Sequence, residues 1–273
     1  MFISLEKFFL PKGVHFFLTT RQIGESTAQF AGQKGAEGGQ AYANFNLASH
    51  VGDDPQRVLA NRSRLMAHLG LPLDRLCMVQ QVHGAHTLVV QEPLSATYQA
   101  DAMVTNMPGL VLGVVVADCV PVLLADPVAR VIGAVHAGWR GALAGVVESC
   151  LTAMLALGAE TDRIHALIGP AIRQAQYEVG PEVFACFKQS KEFTESVENF
   201  FIPKQKLLGE KKYFFNLAGL VNWRLKFFGL HTIHIQDVEL CTFLHEDQFF
   251  SHRRSTWQGQ GNCGRQMGGI FLD

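Results

Sequence analysis

The sequence predicts one domain in which buried β-strands are combined with amphipathic α-helices. Two apolar runs, Val111 to Ala117 and Val131 to Val135, are rich in valine and bounded by turn residues, as strands buried on both faces are. Two other segments, Gln56 to Leu69 and Phe215 to Phe228, repeat apolar residues at helical spacing. The 273 residues, of which 48% are hydrophobic, suffice for a large core, and no repeat or linker divides them.

The N-terminal part is predicted to contain a strand, a long loop and the first helix. Val14 to Thr20 has the apolar and β-branched composition of a strand, and Gln22 to Tyr42 is rich in glycine, alanine and glutamine without periodicity. The Asp-Asp-Pro turn at 53–55 can cap the helix predicted from Gln56 to Leu69. Gly70 is suited to end that helix.

Three predicted strands in the middle of the chain each end at reactive side chains. These are Leu76 to Val82 before His83, Val111 to Ala117 before Asp118 and Cys119, and Val131 to Val135 before His136. A buried strand has no structural need for such groups at its end, so we interpret all three ends as candidate functional positions. A glycine-containing turn at 137–141 leads into a helix predicted from Ala142 to Leu157.

The C-terminal half is predicted to add further strands and helices without another reactive cluster. The histidines His231 and His234 are expected at an edge or on the surface. The predicted elements are a strand at Ile164 to Ile168, a helix beginning near Glu182, a solvated connection at Lys188 to Lys212, the helix Phe215 to Phe228 capped by Asn216, and strands at His231 to Val238 and Gly269 to Leu272.

Composition excludes several classes of function. The net charge of -1 and the pI of about 6.8 lack the basic excess that drives non-specific binding of nucleic acid. No apolar run reaches the roughly 18 residues of a membrane span, and charged residues interrupt the N-terminus before it resembles a signal peptide. The 6 cysteines are scattered and form no CxxC pair, which favours reduced thiols and a cytoplasmic location.

His83, Cys119 and His136 can be interpreted as a metal site. Two imidazoles and a thiolate form a three-ligand zinc set with a fourth position open to water, as in catalytic zinc sites. Zinc at such a position activates water at neutral pH. Copper is the alternative metal, because two histidines and one cysteine also suit a blue-copper centre. The 11 histidines include no His-X-His pair, which argues against a laccase mechanism.

The same residues also allow a reaction without metal. Cys119 would be the nucleophile, His136 its base, and the free amides around Gly138 the oxyanion hole. In either case the turn before the predicted helix leaves backbone N–H groups free to hold an anion, and Arg140 adds a positive charge there.

The ordered motifs along the chain resemble those of the YfiH family, also called the laccase-domain, polyphenol oxidase or peptidoglycan editing factor family. The motifs include Asn44-Phe45-Asn46-Leu47, Asn61-Arg62, Gln81-Val82-His83-Gly84, Ala100-Asp101-Ala102, Ala117-Asp118-Cys119 and His136-Ala137-Gly138-Trp139-Arg140-Gly141. The resemblance covers nearly the whole chain. Two departures are the long Gln22 to Gln40 loop, where the family has a short segment, and Asn262-Cys263, where threonine is common.

The resemblance implies a fold, a metal site and two activities. The fold would be a single α+β domain over residues 1–273, a sandwich of mixed β-sheets flanked by helices that is similar to a group of cysteine hydrolases. His83, Cys119 and His136 would bind zinc, and Arg62 would lie in the catalytic pocket. Further substrate-binding residues are predicted at Asn44, Gln81, Asp118 and Arg140.

The activities that the resemblance implies are phosphorolysis of adenosine, inosine and methylthioadenosine, and deamination of adenosine. The partners would be a purine nucleoside and phosphate, and the protein would be a monomer or a small homo-oligomer. In deamination, Asp118 would relay protons. In phosphorolysis, Arg62, Arg140 or the amides of 138–141 would hold phosphate. A cysteine hydrolase or a peptidoglycan-precursor editing factor that uses Cys119 and His136 is the alternative.

Overall fold

Sheets and helices stack in layers, which confirms the predicted α+β sandwich of mixed sheets flanked by helices. The structure is a computed structural model that describes residues 1–22, 39–42, 44–190, 197–204 and 211–273. The strands are β1 (Val14–Leu18), β2 (Leu76–Cys77), β3 (Thr87–Val89), β4 (Ala102–Thr105), β5 (Val111–Val116), β6 (Val120–Asp126), β7 (Val131–Ala137), β8 (His165–Ile168), β9 (Glu178–Val179), β10 (Phe201–Lys204), β11 (Lys212–Phe215), β12 (Ile235–Asp237) and β13 (Gln266–Leu272). The helices are α1 (Pro55–His68), α2 (Trp139–Ala144), α3 (Val146–Ala156), α4 (Pro181–Gln189), α5 (Leu217–Phe228) and α6 (His252–Trp257).

The strands of the described residues form sheets of six, four and three strands. The six-stranded sheet has the order β12-β8-β6-β7-β4-β3, the four-stranded sheet β1-β13-β5-β2, and the small sheet β10-β11-β9. The two larger sheets are mixed, because β12 with β8, β3 with β4 and β2 with β5 pair in parallel while their other neighbours pair antiparallel. We propose that residues 1–273 form one domain.

Alternating side chains of β6 explain why its sheet is buried on both faces. Leu123 packs towards the four-stranded sheet, where Leu112 of β5 and Ile270 of β13 lie. Val122 and Leu124 point the other way, into the core formed with helices α3 and α5. On the far side of the four-stranded sheet, α1 contributes its own buried apolar face. The layers are therefore α1, four strands, six strands, and the helices α2, α3 and α5.

The predicted helix caps are confirmed. The Asp54 carboxylate accepts a hydrogen bond from Gln56 N (3.0 Å) at the start of α1. Asn216 accepts one from Gly219 N (2.9 Å) at the start of α5. Gly70 follows α1 with φ of 73°. Across the described residues, no helix combines the length and apolar character needed to cross a bilayer.

Predictions around the central stretch were wrong in three places. The predicted strand Leu76 to Val82 is regular only at Leu76–Cys77, so His83 lies on an irregular loop. The helix predicted from Ala142 to Leu157 is divided at Gly145, whose φ of 87° separates α2 from α3. We did not predict β6, because Pro121 interrupts its sequence. Pro121 lies where the sheet uses its carbonyl, which accepts a hydrogen bond from Gly169 N (2.9 Å), and it has no N–H to leave unpaired.

Two predictions in the C-terminal half also need correction. Within the predicted solvated connection Lys188 to Lys212, Phe200 and Phe201 are buried and β10 pairs with β11, while residues 191–196 and 205–210 lie outside the described residues. The predicted strand His231 to Val238 is a strand only at Ile235–Asp237.

The long loop predicted at Gln22 to Tyr42 falls mostly outside the described residues, apart from a short 3-10 turn at Gly39–Tyr42.

Candidate metal centre

The structure brings together the three side chains that were predicted as metal ligands. The nitrogen and sulfur ligand atoms of His83, Cys119 and His136 all lie within 4.8 Å of one another. Cys119 Sγ is 3.9 Å from His83 Nε2, and the two imidazole rings meet edge to face with centroids 4.8 Å apart. Cys119 is partly buried, His136 is buried and His83 is exposed, so the cluster is open to solvent on the side of His83.

Strand register explains why residues distant in sequence meet here. Cys119 lies in the turn between β5 and β6, which connects the two large sheets. The antiparallel pairing of β6 with β7 sets Pro121 opposite His136, so the imidazole lies beside that turn. The pairing of β4 with β7 places the start of β4 next to the same position, and His136 N donates to Asp101 O (2.7 Å).

Asp101 organises the cluster, and sequence analysis assigned it no role. Its fully buried carboxylate accepts hydrogen bonds from His136 Nδ1 (2.8 Å) and His83 N (2.9 Å) through Oδ1. Oδ2 accepts from Val82 N (3.1 Å) and Gly84 N (2.6 Å). Asp101 therefore fixes both the imidazole of His136 and the backbone of the His83 loop, where His83 adopts a φ of 59°. The signal in the sequence that could have identified Asp101 is a carboxylate between two alanines ahead of an apolar segment.

The neighbours of Cys119 favour its thiolate. Burial alone would raise the pKa of the Cys119 thiol, but His136 and His83 outweigh burial and lower that pKa to about 6. Burial would lower the pKa of His136, and the Cys119 charge and the Asp101 hydrogen bond raise it to about 9 instead. Metal ligation and nucleophilic attack both require a thiolate, so the electrostatics support either chemistry.

Gly138 gives the cluster its space. A Cβ atom at this position would lie 2.7 Å from His83 Cδ2 and 3.3 Å from Cys119 Sγ, so a larger residue would displace the ligands. Gly141 is confined similarly, because its Cβ would lie 2.8 Å from Gly84 O. These glycines allow the start of α2 to approach the His83 loop closely. The anion cradle expected from their amides stays a prediction.

The donor set of the cluster fits a metal ion. Two neutral imidazole nitrogens and one thiolate are the ligands of a catalytic zinc site with an open position. The hydrogen bond from His136 Nδ1 to Asp101 leaves Nε2 of that ring available as a ligand atom. The same set would also accept copper, so geometry and donor type alone do not select the metal.

Two of the predicted substrate-binding residues are engaged within the protein. The Gln81 amide pairs with the backbone of Val115, donating to its O and accepting from its N at 2.8 Å each. The Asp118 carboxylate accepts from Thr242 Oγ1 (2.6 Å) and from Arg253 N (2.7 Å), which ties the turn of Cys119 to the start of α6. Contact of either side chain with a substrate stays a prediction.

The other three predicted site residues, Arg62, Asn44 and Arg140, each make a different contact within the protein. Arg62 is partly buried, and its Nε donates to Leu47 O (2.9 Å). Asn44 is exposed, has a φ of 84° and accepts a hydrogen bond through its backbone O from Asn61 Nδ2 (3.2 Å). The exposed Arg140 guanidinium lies 4.3 Å from the centre of the Trp139 ring. The roles predicted for these residues stay predictions.

Similar proteins include named enzymes and a solved structure. A family model described as multi-copper polyphenol oxidoreductase laccase matches residues 15–273. A purine nucleoside phosphorylase of Corynebacterium glutamicum is 39% identical over 252 residues, which cover 89% of this chain and 93% of that protein. Adenosine deaminase RL5 of an unknown prokaryotic organism is 34% identical over 281 residues, which cover 98% and 99% of the two chains. The crystal structure of the hypothetical protein YfiH of Bacillus licheniformis matches with a TM-score of 0.81 and 27% identity, over 95% of this chain and 93% of that one.

Proposed function

The chain belongs to the multi-copper polyphenol oxidoreductase laccase family and resembles YfiH proteins in fold, and from this premise we propose that it is a zinc-dependent purine nucleoside phosphorylase that also deaminates adenosine. The observation that carries the proposal is the His83, Cys119 and His136 cluster, with its ligand atoms within 4.8 Å of one another. The relatives named as purine nucleoside phosphorylase and as adenosine deaminase support the substrate class. Adenosine, inosine and methylthioadenosine are the proposed nucleosides, and the proposed setting is a cytoplasmic monomer or small homo-oligomer.

We propose zinc rather than copper because of the ligand set and the lack of a second ligand cluster among the described residues. His83, Cys119 and His136 would hold the ion, which would supply a Lewis acid and activate water at neutral pH. A multicopper oxidase needs several further imidazoles. Among the described residues, only one group of three ligands meets the geometry of a metal site. The family description therefore does not carry an oxidase mechanism over to this chain.

The residues around the cluster have separable roles in the proposed reactions. Asp101 holds the Nδ1 proton of His136 and so keeps Nε2 free for the metal. For deamination, Asp118 is the proposed proton carrier, and the Thr242 hydroxyl that donates to it (2.6 Å) holds its carboxylate in place. For phosphorolysis, a cationic group must hold phosphate beside C1' of the ribose while positive charge develops there, and Arg62 is the proposed cation.

A cysteine hydrolase is the second candidate, because one observation favours it. The pKa of Cys119 is lowered to about 6 by His136 and His83 against the effect of burial, which is the state expected of a nucleophilic thiolate paired with an imidazolium. In that case Cys119 would attack the substrate directly and His136 would protonate the leaving group. A role in editing peptidoglycan precursors would use these same two residues.

The test combines metal analysis of the purified protein with chromatography of nucleoside reactions. Adenosine is incubated with and without inorganic phosphate, before and after chelation and re-addition of zinc. Phosphorolysis should give adenine only when phosphate is present, whereas deamination should give inosine even without phosphate. Neither product should form after chelation until zinc is added back. Turnover that survives complete removal of metal would contradict the zinc mechanism, and the absence of turnover with any nucleoside would contradict the proposed function.

A further inference from the structure

Arg62 carries a positive charge that nothing in the described part of the chain neutralises. Its Nε donates to Leu47 O (2.9 Å), and burial lowers the pKa of its guanidinium without an opposing contribution from any carboxylate. Arg57, on the same helix, is ion-paired with the buried Asp53. A partly buried guanidinium without a counter-ion is costly, so its position is better suited to an anion that binds from outside than to structure alone.

The backbone of Leu47 fixes a second arginine beside Arg62. Leu47 O accepts from Arg62 Nε, and Leu47 N donates to Arg265 O (3.1 Å). Arg265 N in turn donates to Asn46 Oδ1 (2.9 Å). The 46–47 segment therefore bonds the side chain of Arg62 in α1 and the backbone of Arg265 before β13, so both residues are next to this segment.

His50 follows Leu47 on the same segment, and its side chain is exposed. Its pKa is lowered first by burial, then by the charges of Arg265 and Arg62, and then by His136 and His83. The charged groups with the largest effects on this pKa are all positive, and part of the His50 side chain reaches solvent. The exposed His50 imidazole and the Arg62 guanidinium are thus both attached to the 46–50 segment, and positive charges act on His50 from the arginines and from the histidines of the metal centre.

We propose that Arg62, His50 and Arg265 form the subsite for inorganic phosphate beside the metal centre, an inference that rests on the proposed phosphorylase function. The planar guanidinium of Arg62 can present two N–H donors to one phosphate, and exposed His50 can donate to another oxygen. Arg265 contributes mainly its charge, because its terminal nitrogens already donate to Cys263 O (2.5 Å) and Asn262 Oδ1 (3.1 Å). Arg140, whose guanidinium lies 4.3 Å from the centre of the Trp139 ring, is not part of this proposal.

The subsite would serve the bond exchange of phosphorolysis. A phosphate oxygen forms the new bond to C1' as the bond from C1' to the purine nitrogen breaks. The electron pair of that bond leaves with the purine, and the proton of monohydrogen phosphate passes to the ring nitrogen. The products are ribose 1-phosphate and the free base. Arg62 and His50 hold the phosphate charge beside the ribose while positive charge develops on the sugar.

Calorimetric titration of inorganic phosphate into the zinc-loaded, nucleoside-free protein tests the subsite. Arg62→Ala and His50→Ala should each weaken phosphate binding about tenfold or more, as loss of a charge-assisted hydrogen bond does, with zinc content unchanged. His50→Ala should also raise KM for phosphate more than KM for the nucleoside. Its side chain is exposed, so this variant is expected to fold.

Arg57→Ala is the matched control for Arg62→Ala. It removes an arginine from the same helix, but one already paired with Asp53, so phosphate affinity and turnover should be retained while Tm falls because a buried carboxylate loses its partner. His86→Ala is the control for His50→Ala, since His86 is an exposed histidine outside the proposed phosphate subsite.

The possible results separate this inference from the proposed function. Phosphate affinity equal to wild type in both variants would overturn the subsite, even if the wild type performs phosphorolysis, and so would absence of phosphate binding by the wild type. Weakened phosphate binding in both variants, in a protein that turns over no nucleoside, would support the anion subsite and overturn the phosphorylase function.

Discussion

Two histidine pairs on different parts of this molecule show how neighbours decide what an imidazole can do. His83 and His136 meet edge to face with centroids 4.8 Å apart, next to the Cys119 thiol and the Asp101 carboxylate. His165 and His234 are stacked with centroids 4.2 Å apart, and Nδ1 of each is buried without a hydrogen-bond partner. The first pair has groups that stabilise a positive charge or a metal ion, whereas the second pair is mainly packing.

The protonation of the two pairs differs for the same reason. His136 is buried, yet Cys119 and Asp101 raise its pKa to about 9. Burial and then the charge of His234 lower the pKa of His165, and Asp126 offsets this only partly. Burial thus disfavours the imidazolium at both positions, and only the direct hydrogen bonds and charges of Cys119 and Asp101 at His136 reverse the outcome. Proximity of two histidines is therefore insufficient evidence for a functional site.

The largest expected effect on the His83 and His136 pair comes from replacing Cys119. Cys119→Ala removes the thiolate from the three-ligand set, so bound zinc and nucleoside turnover should both fall to a small fraction of their wild-type values. Metal analysis and a steady-state assay measure the two effects. Cys186→Ala is the control, because Cys186 is exposed and lies outside the cluster. Full zinc and full activity in Cys119→Ala would exclude both the metal and the nucleophile interpretations.

Alkylation distinguishes a committed ligand from a free nucleophile. A zinc-bound thiolate should react slowly with iodoacetamide, and removal of zinc should increase labelling of Cys119 strongly, since its pKa of about 6 leaves it ionised at neutral pH. Mass spectrometry of the labelled peptides assigns the reaction to Cys119, with the exposed Cys186 as internal control. Rapid labelling of Cys119 in zinc-loaded, active protein would instead identify the cysteine nucleophile.

Asp101 separates the two pairs most directly, because Nδ1 of His136 is hydrogen-bonded to this carboxylate whereas Nδ1 of His165 and of His234 has no partner. Asp101→Asn should weaken zinc affinity by about 10- to 100-fold, as loss of a hydrogen-bond partner behind a metal-bound histidine does. Competition with a chromogenic chelator measures that affinity. A matched change at another buried carboxylate, Asp126→Asn, should lower stability through its pairing with Arg163 and leave zinc affinity unchanged. Equal zinc affinity in Asp101→Asn and wild type would show that Asp101 serves only the backbone.

The smallest expected effect is at the stacked pair. Because the folded-state pKa of His165 is lowered, the unfolded chain binds its proton first as pH falls below about 6.5, and folding stability decreases until the folded-state pKa is passed. His165→Phe should remove this contribution and change the acid dependence of Tm by a few degrees. Thermal melts between neutral and mildly acidic pH measure it, with His86→Gln as control. An unchanged acid dependence would mean that His165 does not titrate with unfolding.

Local patterns in the sequence were sufficient for much of the fold. Valine-rich runs predicted β5 and β7, and helical spacing with Asp54 and Asn216 predicted α1 and α5 with their caps. These features depend on neighbours a few residues apart, so they can be identified without knowing the rest of the chain. Local patterns did not predict strand β6 (Val120–Asp126), because the position of Pro121 in the sheet depends on partners distant in sequence.

The sequence by itself determined the ligand types at the candidate metal centre, since His83, Cys119 and His136 could be selected from their positions near apolar runs and from their motifs. Only the tertiary structure decided that Asp101 supports two of them, that Gly138 leaves them space, and that Arg62 and Arg265 both bond to Leu47. Likewise, His165 and His234 became a pair only through the parallel alignment of β8 with β12. The physical reason is that charge, burial and close approach depend on distances in space, and strand register and layer packing set those distances between residues far apart in the chain.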